Sequence, residues 1–232
     1  MRDIVAALAL ADQALALAGP QPRFRVTSRA GYDIRAAANG RTKVMVYGYI
    51  GDSWWDDGVS ASSFTKELDQ VGDGGIDLHL NSGGGSVFDA IAMHAALLNH
   101  PSDVVSFVDG IAASAASFLA MAGDEVVVEK PAKMMIHDAS GLVLGNKRDM
   151  REMADLLDEL DTTIADIYAD RSGKPVAGWL AAMDAETWYS AAQAVEAGLA
   201  DRVANDSKAG TPEDRRSQLI RARARATLER VT

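Results

Sequence analysis

Cysteine is absent from all 232 residues, which removes disulfide staples and thiolate metal ligands from consideration. No HExxH segment is present either, so the usual zinc spacings are missing. The glycines follow neither the GxGxxG spacing nor GxxxxGKS/GxxxxGKT, which leaves a nucleotide site poorly supported. Long apolar runs are lacking: Ile4 to Ala11 is flanked by Asp3 and Asp12 and is far short of the roughly 20 residues that a membrane-spanning helix needs. Ala16-Leu-Ala-Gly19 faintly resembles a signal-peptide cleavage site, but one arginine and an early aspartate make a poor positive leader, and an amphipathic or partner-docking helix is the preferred reading. Positive charge is scarce as well. Lys and Arg number 23 against 33 Asp and Glu, a net charge of −10, which argues against a general nucleic-acid surface and favours a soluble acidic assembly. The exception is Arg215 to Arg230, with six arginines against one glutamate, read as a solvated helix after a Ser207-to-Pro212 linker.

What is present is ample apolar material, 48% of residues with 24% charged, enough for one sizeable core in one domain or two. Strands and helices are expected to alternate: a strand over 43–50, a helix over 61–71, a strand over 76–81, a helix from Ser86, a strand over 103–109, a serine-bearing helix from about Ser114, strands over 125–129 and 133–137, and a long helix over 147–170. Helices between strands imply crossover connections and a mostly parallel sheet.

Within that order, Gly110-Ile-Ala-Ala-Ser114-Ala-Ala-Ser117 places a serine where a strand broken at Gly110 gives way to a helix. First-turn N–H groups are unpaired and the helix dipole favours negative charge, so an oxyanion beside Ser114 would find donors in place. Met134-Met-Ile-His137 ends another strand in a histidine, the partner that a serine nucleophile requires. Two tightly packed helices would show the same small-residue pattern. The run Asn81-Ser-Gly83-Gly84-Gly85-Ser86 leads a strand into three glycines, a place for positive φ, close ligand approach or an anion nest at a helix start. His79, His94 and His100 are read as structural groups.

Taken together, Asn81 to Gly85, Gly110 to Ser114 and His137, 23 residues after the serine, resemble the Clp-type serine peptidases, the ClpP family, and most closely their phage and prophage head-maturation branch. The likeness continues through Gly145-Asn-Lys-Arg-Asp149 and Glu186-Thr-Trp188 to Asp201. It implies an α/β fold of ClpP/crotonase-like repeated β-β-α units, with a mostly parallel sheet and a protruding handle helix. The implied organisation is an N-terminal extension over 1–42, a peptidase domain over 43–205 with its handle at about 138–170, and a linker with a basic C-terminal helix over 206–232. The resemblance makes Ser114 the nucleophile, His137 the base and Glu186 the third member, with Asp184 as the alternative. Asp138, next to the histidine, is read as a loop carboxylate, because neighbours on an extended chain face opposite ways. The oxyanion hole falls to Gly84 and Ala115 with Gly85 as helper; Gly83 stands where the family has proline, which loosens the loop.

No metal or cofactor is implied. The implied partners are a protein or peptide substrate, further copies of the chain in a ring, and capsid or scaffold proteins, in the cytoplasm of a bacterial host. An ATPase partner is disfavoured, because the first 42 residues do not resemble the family's N-terminus. Leu156, Leu157, Leu160, Ile164 and Ile167 share a helix face that is read as a contact between handles rather than intrachain core. The alternatives are a housekeeping degradative subunit, a crotonase-like acyl-CoA enzyme and an inactive assembly protein.

Overall fold

A computed structural model describes residues 31–36, 40–52, 58–72 and 74–205. The N-terminal apolar run, the Trp54-Trp55 pair and the basic tail lie outside the described residues. Among the described residues the strands are β1 (Gly31–Ala36), β2 (Thr42–Ile50), β3 (Ile76–Gly85), β4 (Val104–Ala113), β5 (Glu125–Val128), β6 (Lys133–Ile136), β7 (Thr187–Ser190) and β8 (Arg202–Val203). The helices are α1 (Ala61–Leu68), α2 (Val87–Leu98), α3 (Ala115–Ala120), α4 (Lys147–Ser172), α5 (Val176–Asp184) and α6 (Ala191–Ala197).

The strands form one sheet in the order β1-β2-β3-β4-β5-β8, with β6 branching from the far end of β4 and carrying β7 at its edge. Pairings from β2 to β8 are parallel, as is β4 with β6; β1 with β2 and β6 with β7 are antiparallel. Parallel neighbours need crossovers, and α1, α2 and α3 supply them in turn. The sheet is therefore mostly parallel α/β, as the alternation of elements implies.

Burial in the strands has period two. Val44, Val46 and Ile50 of β2, Ile76, Leu78 and Leu80 of β3, and Val104, Ser106 and Val108 of β4 are all 2% exposed or less, while the residues alternating with them are half-buried or, at Tyr49, exposed. The buried face meets Phe64 of α1, Met93 and Leu97 of α2, and Phe118 and Leu119 of α3. Each such side chain contributes roughly 1.5–3 kcal/mol by leaving water. Local signals set the helix ends. Ser60 and Ser86 cap α1 and α2, Asn146 and Asp149 form a reciprocal box at the start of α4, and Gly173 closes α4 in the left-handed conformation.

Two expectations are corrected. The glycines 83–85 do not open a helix but end β3, and Gly110 does not break β4, which runs on to Ala113. Tyr49 beside Gly84 and Ile50 beside Gly85 hold the end of β3 in the ladder, and Ala112 beside Ser82 and Ile111 beside Lys133 carry β4 on past Gly110, against glycine's weak strand propensity. The serine-bearing helix α3 is consequently only six residues long. The stripe on α4 also divides: Leu160 and Ile164 are buried within the chain's own core, whereas Leu156 and Met150 nearer the start are exposed, as are Leu142 and Leu144 just before the helix.

Candidate active site

The far ends of β3, β4 and β6 converge on one point. Ser114 follows β4 directly, at φ 52° and ψ −128°, and α3 begins at the next residue. A non-glycine residue in that conformation costs about 1–3 kcal/mol and persists only where its surroundings hold it. Here they do: Ser114 N–H donates to the Met135 carbonyl at 2.9 Å, while the Ser114 carbonyl accepts from Ser117 N–H at 2.9 Å and from the Ser117 hydroxyl at 2.5 Å. The side chain is thus turned out at the strand-to-helix corner.

β6 lies parallel to this end of β4, with Met135 opposite Ala113, and delivers His137 one residue past its own end. His137 Nε2 lies 2.7 Å from Ser114 Oγ. With the hydroxyl as donor, Nε2 is the acceptor and the ring proton sits on Nδ1. That is the ground-state geometry for proton transfer from serine to imidazole.

The glycine run closes the third side. A Cβ on Gly84, at φ 98°, would stand 2.7 Å from Ser114 Cβ and 2.9 Å from Ala115 N, so only glycine lets β3 come this near the serine. Buried Ser82 fixes the loop: its hydroxyl donates to the Gly48 carbonyl at 2.6 Å and accepts Gly84 N–H at 3.0 Å. The Gly84 amide is therefore already occupied. Gly85 and Ala115 line the pocket beside Ser114 and His137; Gly84 does not. Val87, Phe118, Ile164 and Tyr168 also line it, with Asp138 and Ser140 on the polar side.

Of the carboxylates, Glu186 immediately precedes β7, whose antiparallel register pairs Thr187 with Ile136. Glu186 and His137 each lie one residue beyond that pair, outside both strands, and Glu186 has a φ of 46°. The Glu186 side chain is exposed and accepts from the Trp188 indole at 3.2 Å, and among the described residues no hydrogen bond joins it or Asp184 to the imidazole. Asp138 also lines the pocket, contrary to the alternation argument, because the chain has left its strand at Ile136 and strand periodicity no longer applies. Burial and the charges of Asp161 and Asp184 push the Asp138 carboxyl above its usual range, with His137 opposing. Asp161 of α4 accepts Ala139 N–H at 2.6 Å, and burial and neighbouring Asp158 raise its carboxyl despite that bond. Sequence reading missed Asp161, Ser82, Ser117 and Tyr168. Their only signal was spacing, as in the Ser114-to-Ser117 interval of one helical turn.

The other histidines lie elsewhere. His79 Nδ1 meets Asp109 at 2.8 Å and its ring stacks on Phe107 at 4.8 Å, while Tyr47 donates to the same carboxylate at 2.6 Å. Burial opposes ionisation of Asp109, but these two partners outweigh it and hold the carboxyl below its ordinary range. His100 Nδ1 accepts Ser102 N–H at 3.1 Å. His94 is pushed down to about 4 by burial.

A mostly parallel α/β sheet that presents a serine bonded to a histidine beside a glycine-lined pocket is the architecture of a serine hydrolase. Residues 28–207 match the family model described as Clp protease, and the chain belongs to that family, whose proteolytic subunits are serine endopeptidases. It is 31% identical over 139 residues to the ATP-dependent Clp protease proteolytic subunit of Chlorella vulgaris, covering 59% of this chain and 69% of that protein. To proteolytic subunit 1 of Mycobacterium bovis it is 28% identical over 130 residues, 55% of this chain and 65% of that protein. The chain thus spans about two thirds of the length of these relatives. A ClpP1 mutant from Listeria monocytogenes shares the fold with a TM-score of 0.62 at 19% identity, over 71% of this chain and 92% of the other.

Proposed function

We propose that this chain is a serine endopeptidase acting through Ser114 and His137 and that it processes phage capsid or scaffold proteins. The observation that carries the chemistry is the 2.7 Å approach of His137 Nε2 to Ser114 Oγ at the rim of a glycine-lined pocket. Ser114 Oγ attacks the scissile carbonyl carbon as His137 takes its proton. The tetrahedral adduct collapses, the C–N bond breaks, and His137 returns the proton to the leaving amine. Water, deprotonated by the same imidazole, then releases the acid product and regenerates the serine. The N–H groups of Ala115 and Gly85 hold the oxyanion in this reading; Gly84 acts by its lack of a side chain, since its amide is bonded to Ser82. Glu186 is the carboxylate assigned to His137 Nδ1, supported by its position just before Thr187, which pairs with Ile136 next to the histidine, and reached by turning away from Trp188.

The peptidase unit is assigned to residues 43–205, with extensions over 1–42 and 206–232. Clp-type peptidases act on proteins as oligomeric rings, and a ring is proposed for this chain too. The capsid role rests on the likeness of Trp54-Trp55 and Glu186-Thr-Trp188 to phage-borne members. A housekeeping role beside an ATPase is the second reading, favoured by the names that the relatives from Chlorella vulgaris and Mycobacterium bovis carry. Labelling of the purified protein by a serine-directed fluorophosphonate tests the chemistry: it should be lost in Ser114→Ala and in His137→Ala, and an unlabelled wild type would make the chain an inactive assembly protein. Incubation with a phage scaffold protein, with and without a Clp ATPase and ATP, separates the roles. Cleavage that requires the ATPase would overturn the capsid reading.

A further inference from the structure

At the wall of the pocket, which Tyr168 lines, a hydrogen-bonded relay runs from α4 to the backbone of Ser114. The Ser117 hydroxyl donates to the Ser114 carbonyl at 2.5 Å, and the Tyr168 hydroxyl lies 2.7 Å from Ser117 Oγ. Ser117 has a single hydroxyl proton and uses it on the carbonyl, so Tyr168 is the donor and Ser117 the acceptor in the second bond. Both residues are deeply buried, at 0% and 1% exposure. Burial pushes the Tyr168 phenol upward, so it stays a donor throughout the working pH range. Tyr168 is itself held by packing against Trp179 of α5, ring centroids 5.5 Å apart.

The carbonyl so gripped belongs to the same peptide unit as the Ala115 amide. That unit is planar and trans, so its N–H points opposite to its C=O. Two donors drawing the Ser114 oxygen toward the core therefore aim the Ala115 N–H outward, where Ala115 lines the pocket. They also polarise the peptide, which strengthens its N–H as a donor. We propose that Tyr168 and Ser117 are positioning residues that act in series to orient the Ala115 amide toward the oxyanion and to hold Ser114 in its positive-φ conformation. The inference rests on the peptidase reading above. It assigns to the helix α4 a second task beyond its apolar packing, control of an amide it does not touch.

The test uses Tyr168→Phe, which keeps the ring, together with Ser117→Ala and the double variant, in the full chain. An aligned oxyanion donor is worth about two to three orders of magnitude in rate, so Ser117→Ala should lower kcat at least about tenfold with KM within about twofold, and Tyr168→Phe should lower it by a smaller factor. Because Tyr168 acts only through Ser117, adding Tyr168→Phe to Ser117→Ala should cause no further loss of kcat. Multiplying losses in the double variant, or losses confined to KM, would overturn the proposal in favour of independent packing effects. Crystal structures of wild type and Ser117→Ala give a readout that does not depend on activity: the Ser114–Ala115 peptide should rotate in the variant, and an unmoved peptide would end the proposal. A wild type that neither cleaves peptides nor takes the fluorophosphonate defeats the peptidase reading instead, and the peptide-plane comparison then decides the positioning claim alone.

Discussion

Ser114 carries two demands that conflict, a side chain for chemistry and a backbone conformation suited to glycine. The conflict predicts an unusual order of stabilities. At most sites glycine is less stable than alanine by about 0.5–1 kcal/mol. At position 114 relief of strain should reverse this, so that Ser114→Gly is more stable than Ser114→Ala by about 1 kcal/mol in urea unfolding, both being inactive. The ordinary order, alanine above glycine, would show that the corner is not strained. The carboxylate partner of the imidazole is tested at the same scale. Glu186→Gln should lower kcat by about ten- to a hundredfold while Asp184→Asn leaves it near wild type, an imidazole partner being worth up to about four orders of magnitude where it is fully engaged. Equal effects of the two would remove Glu186 from the mechanism.

Strand ends and helix faces decide how these residues meet. β3 can reach Ser114 only because Gly84 has no Cβ; Gly84→Ala would force contacts of 2.7 Å with the Ala113 carbonyl and Ser114 Cβ at a φ of 98°. It should cost at least about 2 kcal/mol and abolish hydrolysis, measured by urea unfolding and peptide cleavage. On α2, His94 is neutral in the folded protein down to about pH 4. Its folded pKa lies below its unfolded one, so its contribution is fully present above about pH 6.5 and is lost as pH falls toward 4. His94→Gln should flatten the fall in stability between pH 7 and pH 4.5, by at most about 3 kcal/mol, and less where solvent reaches the ring. An unchanged fall would locate acid sensitivity elsewhere. These elements also mark what the sequence could disclose. The alternation of strands and helices was legible because apolar spacing is local, and Ser114 and His137 were legible because they sit in short motifs. Gly110 was misread as a break because β4 runs on past it to pair Ile111 with Lys133 and Ala112 with Ser82, contacts that are non-local and outweigh glycine's weak propensity. Ser117 and Tyr168 stayed hidden for the same reason: 51 residues separate two hydroxyls 2.7 Å apart.

At the scale of the whole molecule, α4 and the segment leading into it carry four of the large apolar side chains left exposed among the described residues. The 26 residues of α4 extend about 39 Å at 1.5 Å per residue, yet its buried side chains begin only at Leu160. The first half projects, and it carries Met150 and Leu156 at 53% and 37% exposure, with Leu142 and Leu144 at 54% and 53% on the segment leading into it. Apolar side chains grouped on a projecting element mark a surface that a second chain covers. Helix propensity alone would not order so long a projection, since most helical stability in proteins comes from packing an apolar face. The chain should therefore sediment as an assembly of several 24.6 kDa protomers. Replacing Leu144 and Leu156 together by aspartate places charges on that face and should reduce the native mass. The circular dichroism of the core should persist, because neither residue belongs to the buried cluster. If the assembly also braces the loop 137–144 that joins His137 to the projection, kcat should fall along with the mass. A wild type that sediments as a monomer, or a double variant that keeps its full native mass, would show that this face is not the seam, and the exposed apolar side chains of α4 and its leading segment would then need another account.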